Sequence, residues 1–273
     1  MNRFLRLFRF GNGIMGILGV IIGAFIAVGF DIGEHAVNLI IASAVVMIFM
    51  AGGNSLNDYV DREIDRTAHP DRPLPAGEIE PKTALIVGIS GLAIASVLSI
   101  ATMSALVISS VVMAAALMIS YELFLKQRGF IGNITIAVLT GMIFLFGGAV
   151  VDNIEGNFVI AAMAALVSIG REIAKDIQDM SSDEGRRTLP MMIGVRNASI
   201  VAAVFFILGP VLSIWPVIDR MFGWLYCIVF IANAIFIYSA FIIFRRADIS
   251  QKMAKIAMFI ALIAFVLGVI RWT

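Results

Sequence analysis

The chain has 273 residues, of which 60% are hydrophobic and 14% charged, with a formal net charge of +1. That composition excludes an ordinary soluble domain, and the near-neutral balance gives no footprint for a nucleic-acid partner. The single cysteine, Cys227, excludes an internal disulfide or a cysteine-based metal centre and reads as a small apolar helix residue.

At the start, Arg3, Arg6 and Arg9 precede an apolar run with no small-residue cleavage site before Asp31. This pattern predicts a first membrane helix and not a removable leader. Apolar runs of about 20 residues, the length that crosses a bilayer, recur to the end of the chain. Nine spans are predicted, at roughly 12–30, 36–58, 82–102, 104–123, 131–150, 157–178, 197–217, 222–244 and 253–271. The break near Met103 carries no charge and rests on length alone, because 82–123 is too long for one span. The expected fold is all-α: a polytopic bundle of nine transmembrane helices forming one domain over residues 1–273.

Charge asymmetry orients the bundle. With the N-terminus in the cytoplasm, 18 of the 20 Lys and Arg residues fall on the cytoplasmic side, leaving Arg220 and Arg271 outside. A multi-pass protein of the cell membrane follows, with its C-terminus outside. Trp215, Trp224 and Trp272 fall at outer helix ends, where an aromatic belt anchors a bundle.

Two polar stretches interrupt this pattern. Asn54, Asp58, Asp61 and Asp65 fall within roughly 60° of one helix face at about 100° per residue. Glu172, Asp176, Asp179 and Asp183 repeat the same spacing, and each set is followed by Arg-x-Leu-Pro, at 72–75 and at 187–190. A lone stripe of this kind is more often a solvated helix end. Two equally spaced copies with the same following tetrapeptide outweigh that explanation. Both lie at the cytoplasmic ends of their spans, the second and the sixth, and are expected to face each other.

Carboxylates near a membrane are costly unless paired or bound to cations. An all-oxygen set without His or Cys points to a hard ion, Mg²⁺, which commonly shares its remaining positions with substrate phosphates. Arg66, Arg72, Lys126, Arg186 and Arg187 lie on the same side and are suited to contact those phosphates, although Lys126 read alone is equally a membrane anchor. There is no Gly-rich phosphate loop, since Gly52-Gly53 sits in an apolar span and reads as close helix packing. There is no Ser-His-Asp arrangement either. A diphosphate site inside a membrane bundle points to prenyl transfer. A secondary transporter is the competing class, but it predicts charges near the bilayer midplane and not at one end.

Asn57-Asp58-x-x-Asp61-x-x-x-Asp65 and Asp176-x-x-Asp179-x-x-x-Asp183 resemble the two signatures of the UbiA superfamily of intramembrane prenyltransferases. The resemblance extends to the nine helices and to the Tyr121–Lys126 element. It implies that Asp58, Asp61, Asp65, Asp176, Asp179 and Asp183 are the catalytic Mg²⁺-diphosphate residues and that Tyr121 lies near the reacting allylic carbon. It further implies that Asn57 assists, that Arg72, Lys126 and Arg187 contact the diphosphate and that Asn12 lies near the active site; Asn54, Arg66 and Arg186 join the substrate-binding set by their position alone. Within the superfamily, 57–65 with 72–77 and 170–179 are similar to the archaeal digeranylgeranylglyceryl phosphate synthases. That similarity implies geranylgeranyl diphosphate as donor and the free hydroxyl of geranylgeranylglyceryl phosphate as acceptor. It also makes Arg3, Arg6, Arg9 and Arg171 or Lys175 candidate acceptor contacts, against their commoner role as membrane-surface anchors. The same chemistry on an aromatic acceptor is the neighbouring alternative.

Overall fold

The computed structural model describes residues 2–180 and 187–270, and among them every regular element is helical. Short α1 (Arg3–Leu7) leads into α2 (Phe10–Val28), and a 3-10 segment, Gly29–His35, turns the chain into α3 (Ala36–Ala68). Next come α4 (Pro81–Ser99), α5 (Ala105–Ser120), α6 (Phe130–Val150) and α7 (Asn157–Asp179). The second half adds α8 (Leu189–Ile193), α9 (Val195–Leu212), α10 (Trp215–Ile218), α11 (Val229–Ile242) and α12 (Ala247–Val269).

Among the described residues, eight continuous helical stretches are long and apolar enough to cross a membrane. The nine predicted spans differ from that count only in the first stretch, Phe10–Thr67, which holds both α2 and α3. The link between them tightens into 3-10 geometry and does not open into a loop, so the helical run is unbroken. Large apolar side chains face outward around the bundle, Ile40 and Phe241 among them at 71% and 73% exposed. On a water-facing surface such a belt is unfavourable, while in lipid it is the matching surface. The chain is a multi-pass membrane protein.

Local signals set the element ends. Pro81 opens α4, where its missing N–H costs nothing. The charge-free break near Met103 is real. Met103 takes a left-handed φ of +54°, and the Ser104 side chain then caps α5 by accepting from the Val107 N–H. Helix α3 runs ten residues past its predicted end at 58, so the whole first stripe rides on one rigid element. Trp215 and Trp224 are exposed, as anchors would be; Trp272 lies outside the described residues.

Small residues bring the helices together. Gly52 of α3 meets Gly91 of α4 so closely that a Cβ on Gly91 would lie 2.8 Å from the Gly52 Cα, while Gly53 packs against Met118 of α5. Buried Asn157 at the start of α7 donates to Gly23 O of α2 at 3.0 Å and to Phe144 O of α6 at 2.5 Å, pinning three helices at one point. One apolar cluster joins Val20, Val45, Val107 and Phe146. Two others, around Ile173 and Phe206 and around Tyr226 and Phe265, hold the second half. Helix α12 returns to pack on α2 and α7, and the helices surround a cavity of about 1030 Å³.

Candidate active site

The three aspartates of α3 are buried, with Asp58, Asp61 and Asp65 at 2%, 7% and 3% exposure. An unpaired carboxylate so placed would cost several kcal/mol. Each is instead met by a cation from a different element. Arg9 donates to Asp58 at 2.5 Å, Arg72 to Asp65 at 2.5 Å, and Lys126 to Asp61 at 2.6 Å. Arg72 also lies 3.9 Å from Asp58.

Each of these cations is held in place by local backbone geometry. Arg9 takes a left-handed φ of +47° between α1 and α2, which lets the chain double back over α3. The Asn54 amide donates to Phe8 O at 2.9 Å and holds that turn down. Leu7 packs with Leu74, Ile79 and Ala84, so α1 is strapped across the 72–79 turn that carries Arg72. Lys126 follows a single π-helical turn, Tyr121–Leu125, and its N–H reaches back to Tyr121 O at 2.9 Å. Such turns are frequent at functional sites. Here the turn sets Lys126 Nζ 3.0 Å from buried Glu122 and 5.7 Å from the centroid of the Tyr121 ring. Asn57 links the two halves of the network, accepting from Arg9 at 3.2 Å and donating to Glu122 at 2.9 Å.

Helix α7 supplies the second wall. Asp176 accepts from Asn133 Nδ2 of α6 at 2.9 Å, and Asp179 is half-buried at the end of the helix. Glu172 is paired with Arg171. Asp61, Asp65, Asp176 and Asp179 all line the same cavity. Asn12, Asn54, Asn57, Arg72, Tyr121 and Lys126 line it with them. Asp183 and Arg186 lie outside the described residues.

Three predicted site residues are placed differently. Asp58 is not on the cavity wall; it lies behind it and orients Arg9. Arg66 is 70% exposed, pairs with Glu63 at 2.9 Å and lies off the wall, because it falls well round α3 from the stripe. Arg187 is exposed and also off the wall, and what meets the site edge is its backbone: a Cβ on Gly129 would lie 3.2 Å from Arg187 O. Of the basic N-terminal set, Arg3 and Arg6 are spent on Glu78, and only Arg9 reaches the cavity. Glu122, Asn133, Gln251 and Lys255 line the cavity without having been singled out in the sequence.

The cavity is graded. Its polar end gathers these charges, and its deep end is walled by Ile143, Phe144, Met163, Val167, Val229 and Phe265. An anionic head with a long apolar tail suits such a shape. Among the described residues no three Asp, Glu, His or Cys side chains converge into a ready-made metal cage. Mg²⁺ does not require one, since it is typically bound by one or two carboxylates plus substrate phosphates. The all-oxygen donors on two facing walls fit that mode.

The chain is similar to known proteins over nearly its whole length. Residues 17–263 match the UbiA prenyltransferase family. The digeranylgeranylglyceryl phosphate synthase of Methanosphaera stadtmanae is 35% identical over 98% of this chain and 99% of its own. A solved structure reported for digeranylgeranylglyceryl phosphate synthase in membranes superposes with a TM-score of 0.83 at 33% identity, covering 98% of this chain and 97% of that one. A UbiA homologue from Archaeoglobus fulgidus, solved with GPP and Mg²⁺, shares the fold at a TM-score of 0.72 and 17% identity over 98% of both chains.

Proposed function

The chain belongs to the UbiA prenyltransferase family, and from that premise we propose that it transfers a geranylgeranyl group from its diphosphate to the free hydroxyl of geranylgeranylglyceryl phosphate. The observation that carries this reading is the graded cavity with carboxylates and cations at one end and apolar walls at the other. The near-full-length identity to enzymes named for that product supports the acceptor.

Asp61 and Asp65 of α3 with Asp176 and Asp179 of α7 would hold Mg²⁺ between themselves and the diphosphate, with Asp183 completing the second motif. Bound there, the ion neutralises charge that develops on the leaving group. The chain's own residues do the remaining work. Lys126 and Arg72 bring positive charge to the departing diphosphate oxygens, and Glu122 and Asp58 fix where Lys126 and Arg9 point. The allylic C1–O bond breaks with its electron pair going to diphosphate. The acceptor hydroxyl oxygen then bonds to C1, and its proton passes to an oxyanion at the polar end. The Tyr121 ring presents a π face to positive charge, as it already does to Lys126. The apolar deep wall keeps water from the cation. The single-domain organisation over 1–273, a cell-membrane location and a cytoplasmic polar end belong to the same proposal.

Purified protein in detergent, given geranylgeranyl diphosphate and geranylgeranylglyceryl phosphate, is expected to form the diether product with Mg²⁺ and none with EDTA. Asp61→Ala and Asp179→Ala are each expected to lower turnover by about 100-fold or more, the scale on which mispositioned metal and charge cost an active site. Product formed only with an aromatic acid would overturn the acceptor assignment.

A further inference from the structure

Not all cations around the cavity are matched by carboxylates. On the α3 side, Arg9, Arg72 and Lys126 are each bound to a carboxylate. On α7, Arg171, Lys175 and Gln178 lie within roughly 60° of one another, on the flank beside the carboxylate stripe. That flank meets α12, where Gln251 Nε2 donates to Gln178 at 3.2 Å. Lys255 stands one turn further along α12 and lies within electrostatic reach of Arg171, Lys175 and Glu172. All of these residues line the cavity.

Among the described residues Arg171 is the cation of this cluster with an ion pair, to Glu172, while Asp179 lies one turn beyond Lys175 on α7. Among the described residues neither lysine has an ion-pair partner. The Arg171 Nε–H is buried with no acceptor among them. Among the described residues the cluster therefore holds two lysines without an ion pair and an unused donor. A phosphomonoester, at about −1.5 to −2 near neutral pH, is the complement in charge and in acceptor count. A diphosphate is already provided for by the facing carboxylates and their cations.

The same face of α12 continues away from this cluster. Gln251, Lys255, Met258, Leu262 and Phe265 follow at helical spacing, and all line the cavity. Two polar residues therefore lead into an apolar track about 15 Å long from Lys255 to Phe265. An amphiphile with a phosphate head and a hydrocarbon tail fits that track from end to end.

We propose that Arg171, Lys175 and Lys255 form the site for the acceptor's phosphate, with the acceptor tail laid along the Met258–Leu262–Phe265 face of α12. The identity of the amphiphile rests on the function proposed above, whereas the phosphomonoester site rests on the cluster. This assigns the two headgroups to different helices: the diphosphate between α3 and α7, the phosphomonoester between α7 and α12.

The test compares wild type with Lys255→Gln and Lys175→Gln, both at exposed positions. Equilibrium binding and prenyl transfer are measured with geranylgeranylglyceryl phosphate and with its dephosphorylated counterpart, geranylgeranylglycerol. Each variant is expected to weaken binding of the phosphorylated acceptor and raise its KM by about tenfold or more, the factor one charged hydrogen bond supplies. Donor KM and affinity for geranylgeranylglycerol are expected to stay within about twofold, a difference too small for a lost ionic contact. Equal loss with both acceptors, a parallel rise in donor KM, or no change at all overturns the site. Wild type that binds the phosphorylated acceptor in a Lys255-dependent way but forms no product supports the site while removing the proposed reaction. Phosphatidic acid, a lipid with the same headgroup chemistry, is the third arm. Lys255-dependent binding of it, without binding of the acceptor, would give the site to bilayer lipid and overturn the proposal.

Discussion

Lys126 holds two buried carboxylates at once, Asp61 and Glu122, and is itself only 7% exposed. Lys126→Ala would take the cation from both, and breaking a buried pair by removing one partner costs roughly 3–5 kcal/mol. A marked fall in the detergent thermal midpoint is therefore expected together with a loss of turnover. A midpoint unchanged from wild type would show that the network does not carry the fold. The residue scale is also where the sequence is least informative. The spacing of Asp58, Asp61 and Asp65 marks them as one face, but not that Asp58 sits behind the wall and serves Arg9. Glu122 reads as a lone acid at the end of an apolar run, and its partners are 65 residues back and four ahead. Lys255 looks like one more cytoplasmic anchor until α12 is packed on α7. Periodicity tells which residues share a helix face; it does not tell which faces of separate helices meet.

Helices, by contrast, are nearly all legible, because run length and polar breaks report directly on hydrocarbon thickness and backbone satisfaction. What escapes is how the ends are finished: the 3-10 link at Gly29–His35, the strap made by α1, and the π turn before Lys126. Each is a local change in hydrogen-bond register with no strong composition signal. The Gly-Gly pair of α3 is legible, and it makes a sharp prediction. Gly91→Leu would force a branched side chain into the Gly52 backbone of the neighbouring helix, and overpacking of this kind costs roughly 1–3 kcal/mol. The thermal midpoint is expected to drop, while Gly33→Leu, a position open within 4 Å of where its Cβ would sit, leaves it unchanged.

For the whole molecule, the orientation proposed from the charge asymmetry would put the polar end of the cavity and the Gly29–His35 segment on opposite sides of the membrane. In a Cys227→Ser background, Glu34→Cys is expected to react with a membrane-impermeant maleimide in intact cells. Glu63→Cys, 61% exposed beside the polar end, should react only after permeabilisation. The reverse pattern would invert the orientation. The pairing of charges also bears on biogenesis. The cations that neutralise the α3 carboxylates come from positions 9, 72 and 126, all before the sixth helix is made. A nascent chain can thus bring its most acidic helix into the bilayer already neutralised, before any metal or substrate arrives. Lys175 and Lys255, without an ion pair among the described residues, keep their charge for the ligand proposed above.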